Sequence, residues 1–296
     1  MIKKLASHYK EAFSLAYSHD KAEYLWFKSD EGQLFGILKS AVTEQEENLL
    51  STLYTPYDHG FGEHSNRSEK WLHYLYGENG PPFPPSSNSI RCYYFYSKHQ
   101  VADKQNFEEA MQGSIPSSTI LWISRHKGII FEENSDPVVD KESFDQWIDT
   151  FTSDFFIELY VYIGQLHRMT GSLKTKILAE QNCFETIYKS FRRKKCITFH
   201  EALPILIFDG SSLISKQVFS EFLTESFEDR ELIQTLQVYF ECNLNVSLTA
   251  KKLYMHRNSV QYRIEKFIEK TGIDIKHFHE AASAFLVMQF LEHFTE

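Results

Sequence analysis

The stretch Asn245-Val-Ser-Leu-Thr-Ala-Lys-Lys-Leu-Tyr-Met-His-Arg-Asn-Ser-Val-Gln-Tyr-Arg-Ile-Glu-Lys-Phe-Ile-Glu-Lys-Thr-Gly272 concentrates the chain's most suggestive chemistry. Arg257 and Asn258 offer planar groups that can make paired hydrogen bonds to base edges. Ser259, Tyr262, Arg263 and Lys266 can reach base edges or phosphates around them. Thr249 sits near a predicted helix start, where free backbone N–H groups favour an anion. Between Leu248 and Lys270 six cations against two carboxylates give +4, within a chain whose formal charge is −9. That local reversal fits an acidic body with one basic head, not a chain that coats nucleic acid along its length.

Two helices must position these groups. Ser247 is a fitting N-cap for a short helix carrying Leu248, Ala250 and Leu253. Tyr254-Met255 makes the turn, and a second helix starts near His256 and runs to about Lys270. Val260, Ile264, Phe267 and Ile268 form its apolar stripe. Asn258, Tyr262, Glu265 and Glu269 then point the other way. Gly272 stands where a terminating residue adopts a left-handed backbone. Ala250 is small enough for the second helix to cross close above it. Together these are the parts of a helix-turn-helix. A solvated amphipathic hairpin would show the same periodicity. The caps, the alanine and the charge reversal favour double-stranded DNA as partner.

The segment resembles the C-terminal helix-turn-helix of the PucR-type regulators, the purine-catabolism and sugar-diacid (CdaR-like) family. The residues that carry the resemblance are Asn245, Ala250, Leu253, the run His256-Arg257-Asn258-Ser259-Val260-Gln261-Tyr262-Arg263, and Thr271-Gly272. Ser259 replaces the family's usual Thr and keeps the hydroxyl. Tyr254 stands where a small residue is common in such turns. The resemblance implies a DNA-binding transcriptional regulator that responds to a signal or a small-molecule effector.

A length of 296 residues predicts two or three domains, and 25 Phe with 16 Tyr supply ample core. Cys92, Cys183, Cys196 and Cys242 are scattered, which predicts buried reduced thiols in place of a zinc site or disulfide framework. Polar residues interrupt the apolar run after Met1-Ile-Lys-Lys, so no signal peptide is predicted. No apolar run approaches the ~20 residues of a membrane helix. These features predict a cytoplasmic protein with no membrane contact.

Residues 1–20 read as a helix, with Leu5, Tyr9, Phe13 and Ala16 on one face. Tyr24-Leu-Trp-Phe-Lys and Leu34-Phe-Gly-Ile-Leu read as a hairpin. A helix follows from Thr43, capped reciprocally with Glu46 and apolar at Leu49, Leu50 and Leu53. Residues 1–76 thus form a predicted sensory or dimerisation region. His59, Glu63 and His64 match no metal spacing, and Gly60-Phe-Gly62 lacks a third glycine, so an exposed loop is predicted. A short apolar helix surrounds Trp71. The Pro-rich stretch 77–89 predicts an extended linker. Strands then alternate with helices through residues 90–224. Ile90–Tyr96, Thr119–Ser124, Gly128–Glu132, Phe156–Gly164 and Cys196–His200 read as strands, and Asn106–Met111, Lys141–Phe151 and Leu173–Arg192 as helices. Leu203–Phe208 is an apolar run before a turn at Asp209, and packs as a helix or a strand. Glu225–Arg230 is a charged connector. The last region, 230–296, opens with a helix over Arg230–Glu241 and closes with one over Ala281–Phe290. The fold class predicted is multidomain α+β: mixed α/β N-terminal and middle regions, then an all-α helix-turn-helix domain.

Tyr162-Ile-Gly164, the helix with Ala179, Glu180 and Phe184, and Ile197–Leu203 resemble the family's middle domain, which is related to diguanylate cyclases. The resemblance implies a degenerate GGDEF-like scaffold, because Gly-Gly-Asp/Glu-Glu-Phe is absent and nothing could place two GTP molecules with their metals. Glu180 is read as a solvent-facing helix residue, and His277 and His279 as cap or surface positions. No catalytic residue, metal site or cofactor is predicted. Two other functions remain open to the sequence: a protein-interaction module, disfavoured by the polar Asn/Ser/Arg/Lys face, and an enzyme with an unrecognised middle-domain site. A single helix-turn-helix contacts little DNA, so a homodimer reading two half-sites is predicted.

Overall fold

The computed structural model describes residues 2–15, 23–29, 34–57, 65–77, 80–82, 89–134, 141–168, 171–188, 194–208 and 229–294. The chain divides into two compact units. One comprises Met1–Asn134 with Asp145–Tyr160, the other Ser135–Phe144 with Val161–Glu296.

In the first unit, helix α1 (Ile2–Tyr9) is shorter than its apolar spacing predicts. Phe13 leaves the helical register to join strand β1 (Phe13–Ser14), where it pairs with Ile37 and stacks on Phe35. Strands β2 (Tyr24–Lys28) and β3 (Leu34–Leu38) form the predicted hairpin, and β4 (Thr55–Tyr57) completes the antiparallel order β1-β3-β2-β4. Helix α2 (Glu44–Leu53) begins with the predicted capping box. The Glu46 N–H donates to Thr43 Oγ1 and the Thr43 N–H to Glu46 Oε2. Only part of its predicted apolar side is covered: Leu50 joins Phe27, Phe35 and Ile37, while Leu49 and Leu53 stay exposed.

Helix α3 (Asn66–Tyr76) carries Trp71 into a different core. There strand β5 (Ser89–Ser97) pairs antiparallel with β7 (Lys127–Glu133), which also pairs with β6 (Thr119–Trp122). Trp71 lies flat on Phe131 at 3.8 Å between ring centres, so the helix before the Pro-rich stretch and the sheet after it share one core. Helix α4 (Lys104–Ser114) and helix α5 (Lys141–Phe155) add Phe107 and Phe151 to the rings of Phe95 and Trp122. A side chain at Gly128 would place its Cβ 2.5 Å from the Phe95 ring and 2.8 Å from the Leu121 carbonyl, so only glycine fits. Phe156, read as the start of a strand, instead turns the chain with φ 51, and the strand begins three residues later.

In the second unit, β8 (Leu159–Arg168) pairs in parallel with β9 (Cys196–Thr198), with helix α6 (Leu173–Ile187) as crossover. A parallel pair needs such a crossover, because no tight turn can join two strands running the same way. The predicted strand at 196–200 stops at Thr198, whose N–H donates to Glu201 Oε2 as helix α7 (Phe199–Phe208) begins. The apolar run at Leu203 is therefore helical. Helices α8 (Arg230–Glu241), α9 (Val246–Lys252), α10 (Arg257–Thr271) and α11 (Phe278–Phe294) complete the chain, with α11 packed on α7. The architecture is mixed α/β followed by an all-helical C-terminal region.

The four cysteines are reduced thiols, and Cys92, Cys183 and Cys196 are buried. Burial pushes the Cys183 thiol above its ordinary range, which keeps it protonated and inert. Among the described residues no cluster of His, Cys, Asp or Glu could hold a metal, and no helix is long and apolar enough to cross a membrane. The loop of His59, Glu63 and His64, the turn at Asp209 and residues 225–228 of the connector lie outside the described residues. Trp71→Ala should cost about 3–5 kcal/mol, the range for emptying a fully buried aromatic site; urea unfolding of both proteins measures the difference.

Candidate nucleic-acid interface

Helix α8 starts at Asp229, whose side chain accepts from the Leu232 N–H at 3.1 Å. It buries Leu232, Thr235, Leu236 and Tyr239. Helix α9 is capped two residues earlier than predicted, because Asn245 and not Ser247 accepts the Leu248 N–H. Thr249 faces inward. Its side chain is 0% exposed and its hydroxyl donates to the Asn245 carbonyl at 2.8 Å. Thr249 is therefore a buried helix-bracing residue, and the phosphate contact predicted for it has no exposed hydroxyl.

The turn between α9 and α10 is closed by the Met255 N–H donating to the Ala250 carbonyl at 2.9 Å. Ala250 is buried, as its size predicts. Tyr254 takes the left-handed conformation with φ 54, and its ring is 98% exposed. Its Cβ makes that geometry unfavourable, and an exposed ring recovers none of the cost through packing.

His256 caps α10 through its Nδ1, which accepts the Asn258 N–H at 3.2 Å. At the other end Gly272 ends the helix with φ 69. Val260, Ile264, Phe267 and Thr271 are buried, so the predicted stripe is the inner face. Arg257, Asn258 and Ser259 are exposed together at the helix start, and Tyr262 follows one turn later at 66%.

Arg263 and Lys266 are placed differently. Arg263 donates to Glu231 Oε2 at 2.6 Å, to Thr235 Oγ1 at 2.8 Å and to the Glu231 carbonyl at 3.2 Å. Lys266 Nζ lies 3.1 Å from Asp229 Oδ2. Both predicted contacts are thus tied to the first turn of α8. The Leu232 N–H and then the Lys266 ammonium hold the Asp229 carboxyl below its usual range. A cleft of about 540 Å3 opens here, with Asp229 and Glu231 facing Asn258, Tyr262, Arg263 and Lys266.

Residues 232–290 match the model of the PucR C-terminal helix-turn-helix domain. The uncharacterized protein YxkF of Bacillus subtilis is 30% identical over 271 residues, covering 88% of this chain and 89% of that protein. The purine catabolism regulatory protein of Bacillus subtilis is 26% identical over 218 residues, covering 73% of this chain and 36% of that one. The carbohydrate diacid regulator of Escherichia coli is 33% identical over 58 residues, 20% of this chain and 15% of its own. The chain belongs to the PucR-type family of transcriptional regulators. Its C-terminal helices are accordingly the DNA-binding helix-turn-helix of a transcriptional regulator.

This PucR-type regulator also has a buried polar group that the sequence reading placed on the surface. Glu180 is 0% exposed, against the expectation that it faces solvent. Its Oε1 accepts the Gln165 N–H at 2.6 Å and lies 3.0 Å from His167 Nε2. The Gln165 side-chain amide in turn donates to the carbonyl of Thr271 at 2.5 Å, in the last turn of α10. The signal was present in the spacing. Ile177, Glu180, Phe184 and Ile187 fall at helical intervals, and all four are buried. A carboxylate on an apolar stripe can be kept there only with partners such as these.

Tyr254→Gly should stabilise the regulator by about 0.5–1 kcal/mol, the left-handed penalty less glycine's greater unfolded entropy. Chemical denaturation checks it; a loss of stability would mean that the tyrosine ring makes a contact worth more than the strain.

Proposed function

We propose that α10 is the reading helix, with Arg257 and Asn258 at base edges in the major groove and Ser259 and Tyr262 on the adjoining backbone. The observation that carries this reading is the joint exposure of Arg257, Asn258 and Ser259 at the N-terminal end of a helix whose opposite face is buried. In a helix-turn-helix that end approaches the bases. Residues 230–296 then form the reading head. Arg263 and Lys266 serve it first as braces to α8 and meet phosphate in competition with those carboxylates.

The regulator is proposed to act in the cytoplasm as a homodimer on paired half-sites, since one small head contacts too little DNA for tight binding. Residues before 230 are proposed to receive the signal, a small-molecule effector in keeping with the metabolic names of its relatives. The bond from Gln165 to the end of α10 supports a physical route from such a signal to the reading helix. The β8–α6–β9 region is proposed to be a degenerate GGDEF-like scaffold without catalysis. Purified protein incubated with GTP should yield no cyclic dinucleotide, and its appearance would overturn the scaffold assignment.

Footprinting across genomic DNA with the full chain should yield a pseudo-palindromic site. On that site Asn258→Ala should cost about 1–3 kcal/mol and relax preference at one base pair per half-site. Unchanged affinity and preference in a folded Asn258→Ala protein would remove α10 as the reader.

A further inference from the structure

Three of the six cations between Leu248 and Lys270 are already paired with carboxylates, Lys252 with Glu241 and two in the cleft beside α10. Asp229 Oδ2 holds Lys266 at 3.1 Å and Glu231 Oε2 holds Arg263 at 2.6 Å. Both carboxylates stand in the cleft that Asn258 and Tyr262 also line. A phosphate entering that cleft meets two ion pairs where it would otherwise meet two bare cations. It must share Lys266 or Arg263 with a carboxylate or displace that carboxylate. Asp229 is held in place by its capping bond to the Leu232 N–H, so it does not simply swing aside. The Glu231 side chain is 78% exposed and more easily displaced.

We infer that Asp229 and Glu231 are affinity-limiting residues that lower the regulator's affinity for DNA of any sequence by competing with phosphate for Lys266 and Arg263. This rests on α10 being the DNA-facing helix. Phosphate contacts carry no sequence information, so suppressing them penalises every site alike. Base contacts by Arg257 and Asn258 then account for a larger share of the total binding energy, while the difference between right and wrong sites is unchanged.

The test uses the full chain and a short random-sequence DNA duplex, with binding followed over a range of salt concentrations. Asp229→Asn keeps an oxygen for the Leu232 N–H while removing the charge. It should tighten duplex binding about three- to tenfold at low salt and steepen the log–log salt dependence by about one. The same substitution in a Lys266→Ala background should give no gain, because no cation remains to be freed. Glu231→Gln, alone and with Arg263→Ala, is the second pair, and circular dichroism checks the fold of each variant.

No gain from the folded single variants would overturn the proposal. So would an equal gain with and without the cation, since that would be a general charge effect. Arg257→Ala separates this failure from failure of the reading beneath it. Arg257 is exposed at the start of α10 and its loss should weaken duplex binding and flatten the salt slope. If Arg257→Ala and Lys266→Ala both leave duplex binding unchanged, α10 does not face DNA and both readings fall. If Arg257→Ala weakens binding while the carboxylate variants do nothing, only the competition by Asp229 and Glu231 is wrong.

Discussion

Burial of one stripe on α10 is the constraint on which the reading head depends. Val260, Ile264 and Phe267 are each at most 1% exposed, and each contributes about 1.5–3 kcal/mol by leaving water. Once that stripe is inside, the helix has no rotational freedom. Arg257, Asn258 and Tyr262 must face out, whatever their own preferences. Asn245, His256 and Gly272 then fix where the two helices start and stop, through bonds made within the segment itself. The position of the exposed groups is thus a consequence of apolar packing and capping.

A second set of bonds ties the head together across its helices. Arg263 spans from α10 to the backbone, hydroxyl and carboxylate of the first turn of α8. Thr235 is fully buried, and its hydroxyl is satisfied by donating to the Glu231 carbonyl and accepting from Arg263. Removing the guanidinium would leave that hydroxyl poorly paired, a larger loss than an exposed ion pair alone would suggest. The Lys266–Asp229 pair is a single, partly exposed contact and contributes less to stability. Its interest lies in the charge it withholds from a ligand.

The chain outside the head uses aromatic rings where smaller residues would leave gaps. Trp71 on Phe131 joins α3 to the sheet, and Phe95, Phe107, Trp122 and Phe151 fill the space on which α4 and α5 lie. In the second unit a different solution appears. Glu180, His167 and Gln165 form a polar chain within an otherwise apolar setting, and its last bond reaches the carbonyl of Thr271. A buried network of this kind tolerates little rearrangement, because each member would lose a partner.

Sequence alone determined the features that depend on near neighbours in the chain. The helix-turn-helix, its apolar stripe, the Gly272 terminus, the Thr43–Glu46 box, the β2–β3 hairpin and the family itself were legible because each rests on spacing of a few residues. Tertiary structure decided the rest. Phe13 left its helical register because a strand partner and the Phe35 ring lay far along the chain. Thr249 faces inward because the face of α9 that carries it and Ala250 is buried. Arg263 and Lys266 have the residue types of phosphate contacts, yet carboxylates on α8, more than thirty residues earlier, engage them first. Glu180 is charged in type and buried in fact, because Gln165 and His167 come from a separate strand to meet it. For Phe13, Arg263 and Lys266 a long-range partner outweighed a local preference, and such a partner leaves no trace in residue spacing; the burial of Glu180 was legible in its helical spacing, while its partners were not.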